Sequence, residues 1–341
     1  MADATPTTKF GRWRVKKRRE LAIKLDALGP RLLVERPWLG RLYARLMAPR
    51  PSLRVFPGWT FGREFFVEHR WMATRRGILW RYALRNELDI WVVLPWHGGT
   101  RLEARLGNDE SFCVYVAGSF EPNEFAFLDR TLRRRMTFID VGANDGLFTL
   151  FAAARVGRRG RVLAFEPSSR ERAVLERNLA LNRLRNVDVL PVALANEPGE
   201  ATLQIAPALH GGHNTLGGFA HKGVAAIATE AVQLETLDAV TARLGIARVD
   251  VIKIDVEGAE LKVLAGARET LRKWQPVLLI EANDEALRKQ GASTADLLAL
   301  LRSLDYAVFV FSETTGLEEP WAEGAPLSAN IVAKAFPPSE A

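Results

Sequence analysis

One stretch constrains the fold of this chain more than any other. Residues 137–146 read TFIDVGANDG, an apolar run that ends in an acid and then meets two glycines around an asparagine. Such a run is a buried strand, and LFTLFAAA behind it is a helix. The turn between them holds Asp140, Gly142, Asn144 and Gly146. Glycine there lets the chain reverse sharply and lets a ligand approach the backbone. The N–H groups of the helix start point into the same space.

The rest of the chain after residue 120 repeats this alternation. Strands are expected at Thr137–Val141, Arg161–Phe165, Val187–Val192, Val249–Ile254 and Val277–Glu281. Helices are expected at Leu147–Arg155, from Ser168 to about Asn182, at Ala259–Lys273 and near Thr294–Leu304. Ser168-x-x-Glu171 fits a capping box at the start of the second of these. Ala307–Phe311 and Ile331–Ala335 close the unit as a hairpin. Alternating strands and helices require right-handed crossovers and a doubly wound α/β sheet. The expectation is seven strands, mostly parallel, with a C-terminal antiparallel hairpin. It gives residues 121–336 to a nucleoside-binding domain, 90–120 to a small antiparallel unit (90–94, 101–106, 112–116) and 1–89 to a basic helical extension.

The basic character is local. Residues 1–50 carry 13 Lys+Arg and 4 Asp+Glu, a net +9, against +7 for all 341 residues. The remainder is therefore close to neutral. Leu21, Leu25 and Leu28 keep helical spacing, and Gly29-Pro30 reads as their stop. Leu39, Leu42, Tyr43, Leu46 and Met47 form one apolar helical stripe with Arg41 and Arg45 off it. The stripe suits packing on the protein itself, and a basic amphipathic helix also suits an anionic membrane surface. Trp59, Phe61, Phe65, Phe66, Trp71, Trp80, Tyr82 and Trp91 are expected mostly in the core.

No apolar run reaches the ~18 residues of a membrane span, and no apolar stretch follows KKRRE as a secretory leader would need. Cys113 is the single cysteine, so no intrachain disulfide or thiolate zinc site can form. A reducing cytoplasm is expected, with the basic end able to meet the inner face of a membrane.

Glu166 stands twenty residues past Gly146, at the end of the second strand, where an acid can accept from both hydroxyls of a ribose. A dinucleotide fingerprint would be G-x-G-x-x-G, and this turn has only two glycines with a carboxylate ending its strand. S-adenosylmethionine has no pyrophosphate and carries an α-amino group that Asp140 could meet. It is favoured over NAD.

A second segment, VDVIKIDVEGAE (249–260), brings Asp255 to the carboxyl end of the fourth strand. Lys253 is read as a buried partner that supports the turn. Two groups are candidates for accepting an acceptor's proton: Asp255, and His213 in the Gly-rich LHGGHNTL connection (209–216). Asp255 with Glu281 and Asn283 would also make an oxygen-rich set suited to Mg²⁺, a less favoured arrangement than a metal-free site.

FIDVGANDGLFTLFAA, FEP (165–167), VIKIDVEGAELKVLAGA (251–267) and the upstream Gly118-Ser-Phe-Glu-Pro122 resemble the FkbM-type S-adenosylmethionine-dependent methyltransferases. The resemblance covers about residues 90–335. It implies a class I methyltransferase sheet and methylation of hydroxyl oxygens on natural products, saccharides or glycolipids. It also implies that Asp140, Gly142, Asn144 and Gly146 hold the methionine part, Glu166 the ribose and Ala193 the adenine surroundings, with Glu121 close by. Asp145 departs from an apolar residue common in relatives. Other readings are an RNA methyltransferase anchored by the basic end, for which no RNA module is visible, and a non-catalytic nucleoside-binding scaffold.

Overall fold

The computed structural model describes residues 27–59, 70–220 and 223–336. Leu21, Leu25, Phe61, Phe65, Phe66 and the Trp71 ring lie outside the described residues. A helix at 27–35 runs through Gly29-Pro30 instead of stopping there. A β-carbon at Gly29 would lie 2.5 Å from Leu79, so this glycine serves close packing. Helix α1 (Pro37–Leu46) and helix α2 (Arg70–Arg85) follow. They lead to a hairpin of β1 (Trp91–Pro95) and β2 (Arg101–Arg105).

The third expected strand of that unit, 112–116, is instead a π-helical turn, Phe112–Ala117. Asn108 starts the helical stretch by accepting from Ser111 N, and Cys113–Ala117 are all buried. A segment buried all round has no period-two signature to separate strand from helix.

After helix α3 (Pro122–Thr131) comes the predicted alternation. It runs β3 (Thr137–Val141), α4 (Leu147–Val156), β4 (Arg161–Phe165), α5 (Ser169–Asn182) and β5 (Val187–Leu190). The expected third strand splits at Pro191, because β6 (Val192–Leu194) leaves the main sheet. It pairs with β8 (Ala228–Glu235), which pairs in turn with β7 (Gly199–Ile205). This three-stranded sheet occupies the connection between the third and fourth expected strands, where no strand was expected. Its signal was present in the sequence as alternation: Ala201, Leu203 and Ile205 face a small core with Val232.

Strand β9 (Val251–Ile254) is followed by two short helices, α6 (Glu260–Ala265) and α7 (Arg268–Trp274), where one was expected. They break at Gly266, whose β-carbon would lie 2.0 Å from the Ala195 carbonyl oxygen. Then come β10 (Val277–Glu281), helix α8 (Asp284–Lys289), β11 (Tyr306–Phe311), β12 (Glu318–Pro320) and β13 (Asn330–Ala335).

The main sheet has the order β12-β11-β13-β10-β9-β3-β4-β5. Five neighbouring strands, β10 to β5, are parallel, and β13, β11 and β12 are antiparallel. The eighth strand is the short edge β12, which the sequence reading did not include. Strand β3 has β4 on one side and β9 on the other, so the chain order reverses beside it. The crevice at the carboxyl ends there is where this topology receives ligands.

The N-terminal elements share the core on the face of the sheet that α3 and α4 cover. Leu33, Ala44, Met47 and Leu79 lie in one cluster with Phe125, Phe138 and Leu150. The Tyr115 hydroxyl donates to Ala44 O, and Trp96 Nε1 donates to Leu147 O. Burial on α1 centres on Gly40, Ala44 and Met47, because a β-carbon at Gly40 would meet Leu33 backbone at 2.7 Å. That divides the expected stripe: Met47 is buried, whereas Leu42 and Leu46 face out beside Trp38. The described aromatics of the 59–91 region are half-buried, not core. Trp80 and Tyr82 pack against the core from outside.

Candidate active site

The turn after β3 is set by sterics. Gly142 has φ +78°, and a β-carbon on it would lie 1.9 Å from the carbonyl oxygen of Asp255. Gly146 has φ +101°, and a β-carbon there would meet Leu175 at 2.6 Å. Asn144 takes φ +49° between them, a conformation asparagine tolerates better than most residues. Gly142 N and Ala143 N both donate to Phe165 O, which ties the turn to the end of β4.

Glu166 closes that edge. Asn144 N donates to its Oε2 at 2.8 Å and Ser168 N to its Oε1 at 2.9 Å. Each oxygen keeps a second lone pair for a ligand hydroxyl. Burial, with the charge of Glu171, pushes the carboxyl up to about 8 against those two N–H groups and Lys253. Ser168 does not cap α5 as expected. Its hydroxyl donates to Glu171 Oε2, and Glu171 also accepts from Asn214 Nδ2 and Arg170 Nε.

A cavity opens over these residues. It is lined by the Val141–Asp145 turn, Glu166, the β6 wall Val192–Leu194, Gly211-Gly212 overhead, and Lys253 with Asp255–Glu257. Four of the expected cofactor residues therefore meet in one cavity: Gly142, Asn144, Glu166 and Ala193. Gly146 sits behind the turn. Asp140 does not line the cavity. It is fully buried, accepting from Thr149 Oγ1 at 2.6 Å, with Lys253 Nζ 3.8 Å away.

Lys253 is the buried support that the sequence suggested. Its ammonium donates to Gly142 O at 3.0 Å and pairs with Asp255 at 3.1 Å. Burial disfavours its charge, but Asp255, Asp140 and Glu121 outweigh that and raise its pKa.

Beside the cavity lies a wider vestibule. It shares Asn144, Asp145, Gly211, Gly212 and Asp255 with the first and adds Trp59, Trp91, Glu121, His210, His213 and Glu281. Glu121 thus belongs to the vestibule, where its carboxylate accepts from Asn330 at 3.2 Å.

Both expected proton acceptors are at this junction. His213 Nδ1 lies 2.8 Å from Glu257 Oε1. Burial lowers the His213 pKa, but the Glu257 hydrogen bond and the charges of Glu257, Asp109 and Asp255 turn the net shift upward. The Glu257 side of this pair and the His210–Asp109 contact at 2.5 Å were not read from sequence. The 107–109 segment looks only like turn material, and the loop's partner across the fold is not a local signal.

Of the Mg²⁺ set, Asn283 is committed elsewhere. Asn283 Oδ1 accepts from both Glu285 N and Ala286 N at the start of α8, so its oxygen is spent on a helix cap. Glu281 Oε2 is buried without a hydrogen-bond partner, and burial with Asp255 and Glu257 raises that carboxyl.

Residues 140–308 match the family described as the methyltransferase FkbM domain. That segment, just under half of the chain, is similar to FkbM-type methyltransferases. Among curated relatives, methyltransferase sdnD of Sordaria araneosa is 33% identical over 168 residues, 41% of this chain and 62% of that protein. The AMB antimetabolite synthetase AmbE of Pseudomonas aeruginosa is 30% identical over 210 residues, 50% of this chain and 10% of that protein. The chain therefore spans less than two thirds of either relative. A solved methyltransferase FkbM from Methylobacillus flagellatus KT aligns with TM-score 0.37 at 14% identity, covering 79% of this chain and 56% of that one.

The matched family is one of methyltransferases, and S-adenosylmethionine is the cofactor that the turn and Glu166 suggested from sequence. The residues here fit that cofactor: a buried carboxylate with open lone pairs, an apolar wall and a turn with no side chain at its tightest point. Gly118-Ser-Phe-Glu-Pro122 and 90–120 lie outside the matched residues.

Proposed function

We propose that this chain transfers a methyl group from S-adenosylmethionine to a hydroxyl of a saccharide, glycolipid or other natural-product acceptor. The observation that carries this reading is the junction of cavity and vestibule, where His213 and Asp255 stand beside the turn that Gly142 and Asn144 form. When bound, the cofactor supplies an electrophilic methyl group. The protein's share of the work is to align the acceptor oxygen and take its proton.

Orientation of that kind is worth up to about 7–11 kcal/mol. His213 is the better base of the two candidates. Glu257 holds one of its ring nitrogens and stabilises the imidazolium that forms, as an orienting carboxylate does in a catalytic triad. Asp255 is already paired with Lys253, which suits it to positioning. Glu166 and Ala193 hold the nucleoside, and Gly142 and Asn144 hold the methionine end. The names of sdnD, a methyltransferase, and AmbE, an antimetabolite synthetase, favour a small-molecule acceptor.

A specific observation also favours work at a membrane surface. Trp38, Leu42 and Leu46 recur every four residues along α1, and Trp38 and Leu46 are 66% and 76% exposed. Arg41 and Arg45 are exposed on the same helix. An apolar ridge flanked by arginines inserts shallowly among lipid chains while its charges meet anionic headgroups. That would bring a lipid-linked acceptor to the vestibule. No helix among the described residues is long and apolar enough to cross a membrane.

The test is transfer of tritiated methyl from S-adenosylmethionine into fractionated glycans, lipids, small metabolites and RNA. Label in a glycan, lipid or metabolite fraction that disappears with His213→Ala supports the reading. Label confined to RNA would replace the acceptor class.

A further inference from the structure

The loop over the cofactor cavity carries two imidazoles, one on each side of Gly211-Gly212. Both meet carboxylates from other parts of the chain: His210 reaches Asp109, and His213 reaches Glu257. One ligand atom from each of Asp109, His210 and His213 lies within 4.8 Å of the other two. Among the described residues no other group of three or more His, Cys, Asp or Glu side chains converges so closely.

Tetrahedral zinc, with bonds of about 2.0–2.1 Å, sets its ligand atoms about 3.3 Å apart. The His210–Asp109 contact at 2.5 Å falls inside that separation and the 4.8 Å envelope falls outside it. Small side-chain rotations on a surface loop bridge the difference. Two imidazoles and one carboxylate suit Zn²⁺, Co²⁺ or Ni²⁺, whereas Mg²⁺ and Ca²⁺ prefer all-oxygen sets. Glu257 behind His213 supplies the outer carboxylate that commonly orients a metal-bound imidazole.

We propose that Asp109, His210 and His213 form a site for one divalent transition metal, and that the ion latches the roof of the cofactor cavity to the turn at Asn108–Ser111. The roof is thin. Gly211 and Gly212 line the cavity, and a β-carbon on Gly211 would press on Glu171 at 3.3 Å while one on Gly212 would touch Asn144 at 3.4 Å. A loop pinned at both flanking histidines leaves the nucleoside little room to exchange. An imidazole bound to a metal accepts no proton, so the latched form is a resting form. These two consequences rest on the methyltransferase reading above; ion binding itself does not.

The test uses the full chain, with Zn²⁺ followed by calorimetry and Co²⁺ by its visible absorption bands near neutral pH. One ion per chain is expected, lost in His210→Ala and in Asp109→Asn and retained in Glu281→Gln, with thermal melts confirming that each variant folds. Bound Zn²⁺ is expected to slow S-adenosylmethionine dissociation about tenfold, a coupling of ordinary size. Ion binding that is absent, or that survives His210→Ala and disappears in Glu281→Gln, overturns the proposal. Ion binding as expected in a chain with no affinity for S-adenosylmethionine keeps the metal site and removes the cofactor reading. Ion binding with unchanged dissociation removes the latch.

Discussion

Gly142 and Asp255 belong to two motifs more than a hundred residues apart, yet a β-carbon on the first would lie 1.9 Å from the carbonyl oxygen of the second. The parallel pairing of β3 with β9 brings them together. Gly142→Ala should therefore be costly twice over. Its left-handed backbone alone costs an alanine about 1–2 kcal/mol, and the collision adds to that. The expected result in urea denaturation is a loss of more than about 2 kcal/mol, with cofactor affinity lost in parallel.

Glu166 should make cofactor binding depend on pH. Its folded pKa is raised to about 8, chiefly by burial. In the empty protein a raised acid favours the protonated form, so its contribution to stability is present below its ordinary value of 4.5 and is lost as pH rises through about 8. Ribose hydroxyls donate best to the ionised form, so binding releases a proton. Calorimetry should show S-adenosylmethionine affinity rising from pH 6 to about 8, by at most about tenfold per pH unit, then levelling. Glu166→Gln should flatten the profile and weaken binding about tenfold or more, the worth of a charged hydrogen bond.

His213 and Glu257 should separate chemistry from binding. His213→Ala is expected to slow methyl transfer by about 10²–10⁴-fold, the usual share of a placed base. S-adenosylmethionine affinity should stay close to that of the unaltered protein. Glu257→Gln keeps the shape but removes the charge, and should slow transfer less. Equal losses in turnover and cofactor affinity for His213→Ala would mean that the loop only roofs the cavity.

The ridge on α1 can be tested without disturbing the core, because Trp38, Leu42 and Leu46 point outward while Ala44 and Met47 are buried. Replacing the three exposed residues with serine should abolish sedimentation with vesicles rich in phosphatidylglycerol. Melting temperature and cofactor affinity should be unchanged. Deleting residues 1–50 is a poorer experiment, since it removes core side chains as well.

Much of the main sheet was legible because its strands are apolar and separated by helices of ordinary length. Asp140 shows where that legibility stops. A carboxylate ending a strand looks like a ligand residue, but its burial between Thr149 and Lys253 is set by packing that no local pattern shows. The helical turn at Phe112–Ala117 was hidden by burial on every side. The alternation of β7 was legible in Ala201, Leu203 and Ile205 but was passed over beside the Gly-rich segment that follows it. The place of Glu166 at the end of β4, on the cavity wall, was legible from its distance to Gly146 because that spacing reflects a local strand–helix–strand unit. The partners Glu257 and Asp109 were not, because they meet the histidine loop only through the fold.

The most direct test of the account is a crystal structure with S-adenosylhomocysteine bound. The ribose hydroxyls are expected on the Glu166 carboxylate, with the adenine against Val192–Leu194 and the amino-acid end over Gly142 and Asn144. A nucleoside found elsewhere on the chain, with Glu166 still holding only its two backbone N–H groups, would contradict it.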